Sequence, residues 1–248
     1  GLRRKLPITF YSMMIGTFAI TGVGIPLSYD LFNLPLGFSG FVSKDSIIEG
    51  IYASNNHNTF VYFLFIIFSA FLTSLYSWRL IILTFFGEYR GKRKYFDNAE
   101  ENSKSINITL IILSICSIFV GVIFYDFFLG KKAEYFFSQS IYVLPTNTIL
   151  SDLHYIPVWA KLTPFLSMIV GLFLAFIFYI HKPNLPQVFS KNQNILYNFL
   201  LNKWYFDEIY NAIFVKSSRW LGHIFWKIGD EKIIDGFINF ISLIFIPT

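Results

Sequence analysis

Gly37-Phe-Ser-Gly-Phe-Val-Ser-Lys-Asp-Ser-Ile-Ile48 is the stretch that decides how this chain is read. It sets an ionisable pair, Lys44-Asp45, at the end of a charge-free run from Leu31 to Ser43. A longer charge-free run, Leu6 to Tyr29, precedes it and is closed by Asp30. A lysine inside a membrane-buried run costs about 2.5–3.5 kcal/mol even on the lenient insertion scale, so it marks an ion path, a partner charge or a water cavity. Between the two runs lie Gly22, Gly24, Pro26, Pro35, Gly37 and Gly40. Proline removes a backbone donor and both residue types disfavour helix interiors. A helix broken at membrane depth persists only where protein or water satisfies its loose amides and carbonyls. The stretch therefore predicts a broken membrane element on a proton or cation path.

Composition agrees with a membrane reading. Apolar residues make up 54% of the 248 residues and charged residues 14%, against roughly 25% charged in soluble domains. The excess of Phe, Ile, Asn and Lys also fits codon bias in an AT-rich genome, which explains the number of phenylalanines but not their clustering. The net charge of +5 does not imply nucleic acid. The basic residues gather beside apolar spans, as cytoplasmic loops of membrane proteins do, so the lipid bilayer is the expected surrounding. Cys116 is the lone cysteine and lies in an apolar run; a buried structural thiol is expected. The chain opens on Gly1 without a signal-peptide pattern, and a piece of a longer polypeptide is expected.

A bilayer core needs about 20 apolar residues per helix. The first element, 6–54, is too long for one straight helix and is expected as two half-spans with an irregular middle. Further spans are expected at Thr59–Phe86, Ile106–Tyr125 and Leu162–Ile180, the last stopped by His181-Lys182-Pro183. The run Gly236–Thr248 is too short to span unaided. The fold class is all-α: a polytopic membrane helix bundle over 1–185 with four crossings, then an amphipathic segment over 186–248. Arg3, Arg4 and Lys5, then Arg90, Lys92, Arg93, Lys94 and Lys104, then Lys182, Lys191 and Lys203 fall on one side if the first element crosses once. That side is expected to be cytoplasmic. Asn55 and the loop 126–161 fall on the other, where Lys131, Lys132 and Lys161 weaken the asymmetry. From Trp204 to Ile228, an apolar stripe of Trp220, Leu221, Ile224, Phe225 and Ile228 opposes Lys216, Arg219, His223 and Lys227. That is an amphipathic helix, expected against the membrane face or partner helices.

Several motifs carry a resemblance. Gly1-Leu-Arg-Arg-Lys-Leu-Pro7, Thr21-Gly-Val-Gly-Ile-Pro26, Gly40-Phe-Val-Ser-Lys-Asp45, Tyr76-Ser-Trp-Arg-Leu80 with Leu83-Thr-Phe-Phe-Gly87, and Leu201-Asn-Lys-Trp-Tyr-Phe-Asp-Glu-Ile-Tyr210 occur in order. Together they resemble the antiporter-like subunit L, or chain 5, family of the proton-pumping NADH:quinone oxidoreductase, respiratory complex I. The resemblance covers most of the chain and points to the family's C-terminal part: later membrane helices and the approach to a long lateral helix. The Thr-Gly-Val-Gly-Ile-Pro form is similar to the alphaproteobacterial or mitochondrial branch. It implies a bacterial inner membrane, or alternatively the mitochondrial inner membrane. It also implies that Lys44 and its neighbour Asp45 stand on the proton path, and that the remaining path residues belong to earlier helices. Partners implied are other membrane-arm subunits, among them a neighbouring antiporter-like subunit. Two departures bear on the site: 28–35 resembles an insertion in the break, and Ser46 stands where many relatives have Glu.

By residue type alone, Lys44 is a proton relay or a lysine that snorkels to the headgroups, and the resemblance favours the relay. Asp45 and Glu49 share a helix face at i and i+4; they are candidates to line the exit of the path, with solvated helix-end acids the expected role. Arg79 is expected as an interfacial anchor. His57, His154, His181 and His223 lack the spacing of a metal site, so no metal is expected. No phosphate loop, nucleotide fingerprint or cysteine cluster is present. No cofactor is therefore expected on this chain; the resemblance puts NAD, FMN, iron–sulfur clusters and quinone on partner subunits. Two other functions remain open: the large subunit of a multisubunit cation/proton antiporter, and a non-conducting membrane scaffold.

Overall fold

The computed structural model describes residues 1–54, 57–89, 91–130, 132–138, 140–142, 144 and 147–245. Asn55, Asn56, Arg90, Lys131 and the last three residues of the Gly236–Thr248 run lie outside them, as does the side chain of His154. The described residues are all-α, with one isolated antiparallel bridge between Gly24 and Gly37 and no strand. The chain divides into two compact units, Gly1–Leu185 and Pro186–Thr248.

The first unit is built on five helices: α1 (Pro7–Thr21), α2 (Ser39–Ala53), α3 (Thr59–Ile81), α4 (Lys104–Phe128) and α5 (Val158–Phe176). A π turn extends α3 through Ile82–Phe86, and another extends α5 through Ile177–His181. Three stretches, Thr59–Phe86, Lys104–Phe128 and Val158–His181, are long and apolar enough to cross a membrane. Helices α1 and α2 have 15 residues each. At about 1.5 Å per residue each reaches only ~22 Å, short of the ~30 Å hydrocarbon core. They are the two halves of the broken element.

Gly22 makes the break. It ends α1 with φ 80° and ψ 48°, a left-handed conformation that glycine adopts without a Cβ penalty. Its N–H donates to Ala19 O and that of Val23 to Phe18 O, so two orphan carbonyls of the helix end are satisfied locally. The intervening loop is pinned at its neck. Ile25 N donates to Leu36 O at 2.7 Å and Phe38 N to Val23 O at 3.0 Å, while Leu36 N donates to the Ser28 hydroxyl at 2.8 Å. The ring of Phe41 lies over this neck: a Cβ on Gly24 or Gly37 would stand 2.3–2.4 Å from it. The 28–35 segment is thus a closed loop carrying a short helical turn, Ser28–Phe32, not a distortion of α2.

Helices α3 and α5 form the most extensive pair in the unit. Small residues let them approach, and hydroxyls fasten them in both directions. Ser74 of α3 donates to Met168 O at 2.7 Å, and Ser167 of α5 donates to Ile67 O at 3.1 Å. Lipid offers no hydrophobic drive between helices, so close packing and interhelical hydrogen bonds carry such a pair. Phe10, Trp78, Ile81, Ile82, Phe85 and Ala175 form one buried cluster; Ile48, Phe63, Leu153, Ile156 and Ala160 form another.

The structure corrects three readings. Helix α5 begins at Val158, not Leu162, with Pro157 as its non-helical N-cap (φ −58°, ψ 141°). Lys161 therefore sits within the first turns of a helix and is buried, rather than lying in a loop. Cys116 is exposed, not buried: α4 keeps only Ser114 buried and turns its apolar side chains outward.

In the second unit, helical segments Leu185–Asn192 and Asn194–Leu201 are followed by left-handed residues Trp204 and Tyr205, with φ near 60°. Helical backbone then runs from Phe206 to Phe245 through alternating α and π segments. The amphipathic helix expected from Trp204 therefore starts two residues later and continues past Ile228. Its basic residues Lys216, Arg219 and His223 lie on the α segment Lys216–Ile224.

Candidate functional site: a split charge pair at the helix break

Lys44 lies on the second turn of α2, beside the end of α1. Its Nζ is 3.5 Å from the carbonyl oxygen of Thr21, the last residue of α1. That oxygen belongs to the negative end of the helix dipole, which favours a cation. The side chain is half-buried and lines a cleft of about 330 Å³ with Ala19, Ser43, Ile66, Ser69 and Thr73. The break thus places a lysine and the buried C-terminus of a helix face to face.

Asp45 turns the other way. One residue is about 100° of helical rotation, enough to move it to a separate cavity. That cavity has a volume of about 70 Å³, several times the ~10–15 Å³ a water needs. Its polar walls are Ser28, Tyr29, Asp30, Asp45, Ser46, Glu49, Tyr125 and Lys161. Asp45 and Glu49 stand one turn apart on the same face of α2. Across from them, Lys161 Nζ donates to Asp30 Oδ2 at 2.7 Å, with Lys161 8% exposed and Asp30 38%. Tyr29 and Tyr125 close one side, ring centroids 4.8 Å apart.

Charge coupling links these groups in sequence. Asp45 feels both Lys44 and Glu49, and Glu49 feels Lys161 and Asp30. These groups run along α2 from Lys44 beside the break to Glu49, one turn before the helix ends at Ala53. Tyr125 near the end of α4 and Lys161 near the start of α5 lie at that same end. Asp45 and Glu49 are half-buried and both line a partly open polar cavity, rather than standing free in solvent at the helix end.

Asp30 and Lys161 were not expected here. Asp30 reads as the full stop between two apolar runs, and Lys161 as a loop charge. The available signal was Pro157, whose usual place at a helix start puts Lys161 inside the helix. Arg79 lies in the last turns of α3, its guanidinium 5.5 Å from the Tyr179 ring centroid, and touches neither cavity. Among the described residues no group of three His, Cys, Asp or Glu could hold a metal ion.

No protein-family model matches the chain, but individual relatives do. It is 36% identical to NADH-quinone oxidoreductase subunit L of Rhodobacter capsulatus over all of this chain and 42% of that protein. It is 34% identical to subunit L of Rickettsia felis, over 95% of this chain and 35% of that protein. It is 32% identical to NADH-ubiquinone oxidoreductase chain 5 of Acanthamoeba castellanii, over 98% of this chain and 35% of that protein. The chain thus spans less than half the length of the curated relatives it matches. Over its whole length the chain is thus homologous to part of bacterial subunit L, and over nearly all of it to part of the chain 5 counterpart.

Proposed function

We propose that this chain is part of a proton-translocating membrane-arm subunit of NADH-quinone oxidoreductase, and that Lys44 and Asp45 stand on its proton path. The observation that supports this best is the setting of Lys44: a half-buried cation aimed at the open carbonyl end of a broken membrane helix. Its proton affinity is set jointly by its surroundings, the helix terminus and Asp45. A small change in hydration or nearby charge then decides whether it holds a proton. Released protons pass to Asp45 and Glu49 through the polar cavity.

On this reading the redox chemistry of NADH, FMN, iron–sulfur clusters and quinone belongs to partner subunits. Other membrane-arm subunits, including a neighbouring antiporter-like subunit, adjoin this one in a bacterial cell membrane or a mitochondrial inner membrane. The test is Lys44→Ala in the assembled enzyme. Proton pumping and coupled quinone reduction should fall together while the amount of complex is retained. Normal pumping in an assembled Lys44→Ala enzyme would reject the relay. Co-purification with flavin and iron–sulfur subunits separates this reading from a cation/proton antiporter.

A further inference from the structure

Among the described residues, the cavity beside Asp45 is lined by three carboxyl groups, Asp30, Asp45 and Glu49, and one cation, Lys161. The cation is the most buried of the four, and its partner Asp30 comes from the closed loop inserted in the break. A buried ion pair is weak evidence for stability, because desolvation offsets much of the attraction. This one joins a loop to a helix 131 residues away, and it does so inside a cavity roomy enough for water. Its charge also acts on Glu49, one turn beyond Asp45 on α2.

We propose that Lys161, held in place by Asp30, is a positioning residue for proton exchange between Asp45 and Glu49. This rests on the proton-path reading of Lys44 and extends it to the end of the bundle where α2 finishes and α5 begins. The step is a proton hop. An O–H bond on Asp45 breaks as one forms on Glu49, or on a water between them, and Glu49 then releases the proton onward. Each departure leaves a carboxylate in a confined space, and the fixed ammonium of Lys161 stabilises that negative charge. Without it, two carboxylates one turn apart would face each other with no other cation among the described residues lining their cavity, since Lys44 lines the opposite cleft. Asp30 keeps Lys161 from folding directly onto Glu49 and trapping it as a static ion pair.

Two variants of the assembled enzyme in native membrane vesicles test this, with Lys44→Ala alongside. The first, Asp30→Asn with Lys161→Met, removes both charges and keeps side-chain volume, so neither partner is left buried and unpaired. The second, Asp30→Lys with Lys161→Asp, keeps an ion pair but moves the cation onto the loop. Both should accumulate as complex, and both should pump several-fold fewer protons per NADH oxidised. Lys161→Arg should retain most pumping. Wild-type pumping by the neutral pair overturns the proposal. So does recovery of pumping by the swapped pair, which would make the pair a structural clasp, and so does failure of both variants to assemble. If these variants are impaired but Lys44→Ala pumps normally, the proton-path reading itself falls. If Lys44→Ala is impaired and the neutral pair is not, only the role of Lys161 falls.

Discussion

Lys44 and Asp45 are neighbours in sequence and face different cavities: Lys44 lines the cleft between α1, α2 and α3, while Asp45 lines the polar cavity with Glu49, Asp30 and Lys161. Helix α2 is the wall between the two spaces. On the proposed proton path, these two adjacent positions carry the proton from one space to the other.

This arrangement puts Asp45 and Glu49 in series. Asp45→Asn and Glu49→Gln should each lower proton pumping in the assembled enzyme. The double variant should be little worse than the more damaged single one, because residues acting as a unit are not additive. Pumping per NADH oxidised is the measurement. Independent, multiplying losses would place the two carboxyls on separate routes.

Helix α1 is capped from a distance. Its own N-cap, Leu6, offers no side-chain bond. Glu101, from the segment before α4, supplies one instead: Oε1 accepts from Ile8 N at 2.6 Å and Thr9 N at 3.3 Å, and Oε2 accepts from the Thr9 hydroxyl at 3.0 Å. Glu101→Ala should cost about 0.5–2 kcal/mol, the range for losing an N-cap. Glu101→Gln should cost less, since one carbonyl oxygen remains to accept. Thermal inactivation of the solubilised complex reads the difference, and equal effects would show that the cap contributes nothing.

The α3–α5 seam depends on Ser74 and Ser167. Ser74→Ala removes one interhelical bond, for which membrane proteins average about 0.6 kcal/mol. Gly171→Leu is a different event. A Cβ there would already stand 2.7 Å from Ser74 Cβ and 2.8 Å from Phe71 O, so the helices must separate. The serine variant should assemble with slightly reduced thermal stability, and the leucine variant should fail to assemble. A well-assembled leucine variant would show that the seam tolerates a wider spacing.

In the second unit, Lys227 Nζ donates to Glu231 Oε2 at 2.6 Å, one helical turn apart. That bond, followed by the lysine's charge, holds the Glu231 carboxyl below its ordinary value. A lowered folded-state value means that the pair stabilises the helix above the ordinary glutamate range. The contribution is lost as pH falls through the lowered folded value. Both groups are exposed, so salt should weaken the effect as well. Glu231→Gln should abolish this acid sensitivity in hydrogen exchange over 225–235, and at neutral pH should show the slightly faster exchange that the wild type shows in acid.

Much of this molecule is written locally. Long apolar runs give the three crossing-length helices, because hydropathy and helix length are properties of contiguous residues. Gly22 and the Gly24, Pro26, Pro35 and Gly37 series give the break, because each acts on its own backbone. The weight placed on Lys44 needs only a charge at the end of an apolar run. Three features could not be reached this way. The pairing of Asp30 with Lys161, the opposite facing of Lys44 and Asp45, and the outward turn of Cys116 all depend on which helix lies against which, and at what height. A helix sequence specifies a face but not its neighbour. In this chain the faces are nearly uniform in hydrophobicity, so periodicity does not single out the buried side. Packing of small residues along α3 and α5, and the closure of the loop at Gly24 and Gly37, set those heights and bring distant charges into one cavity.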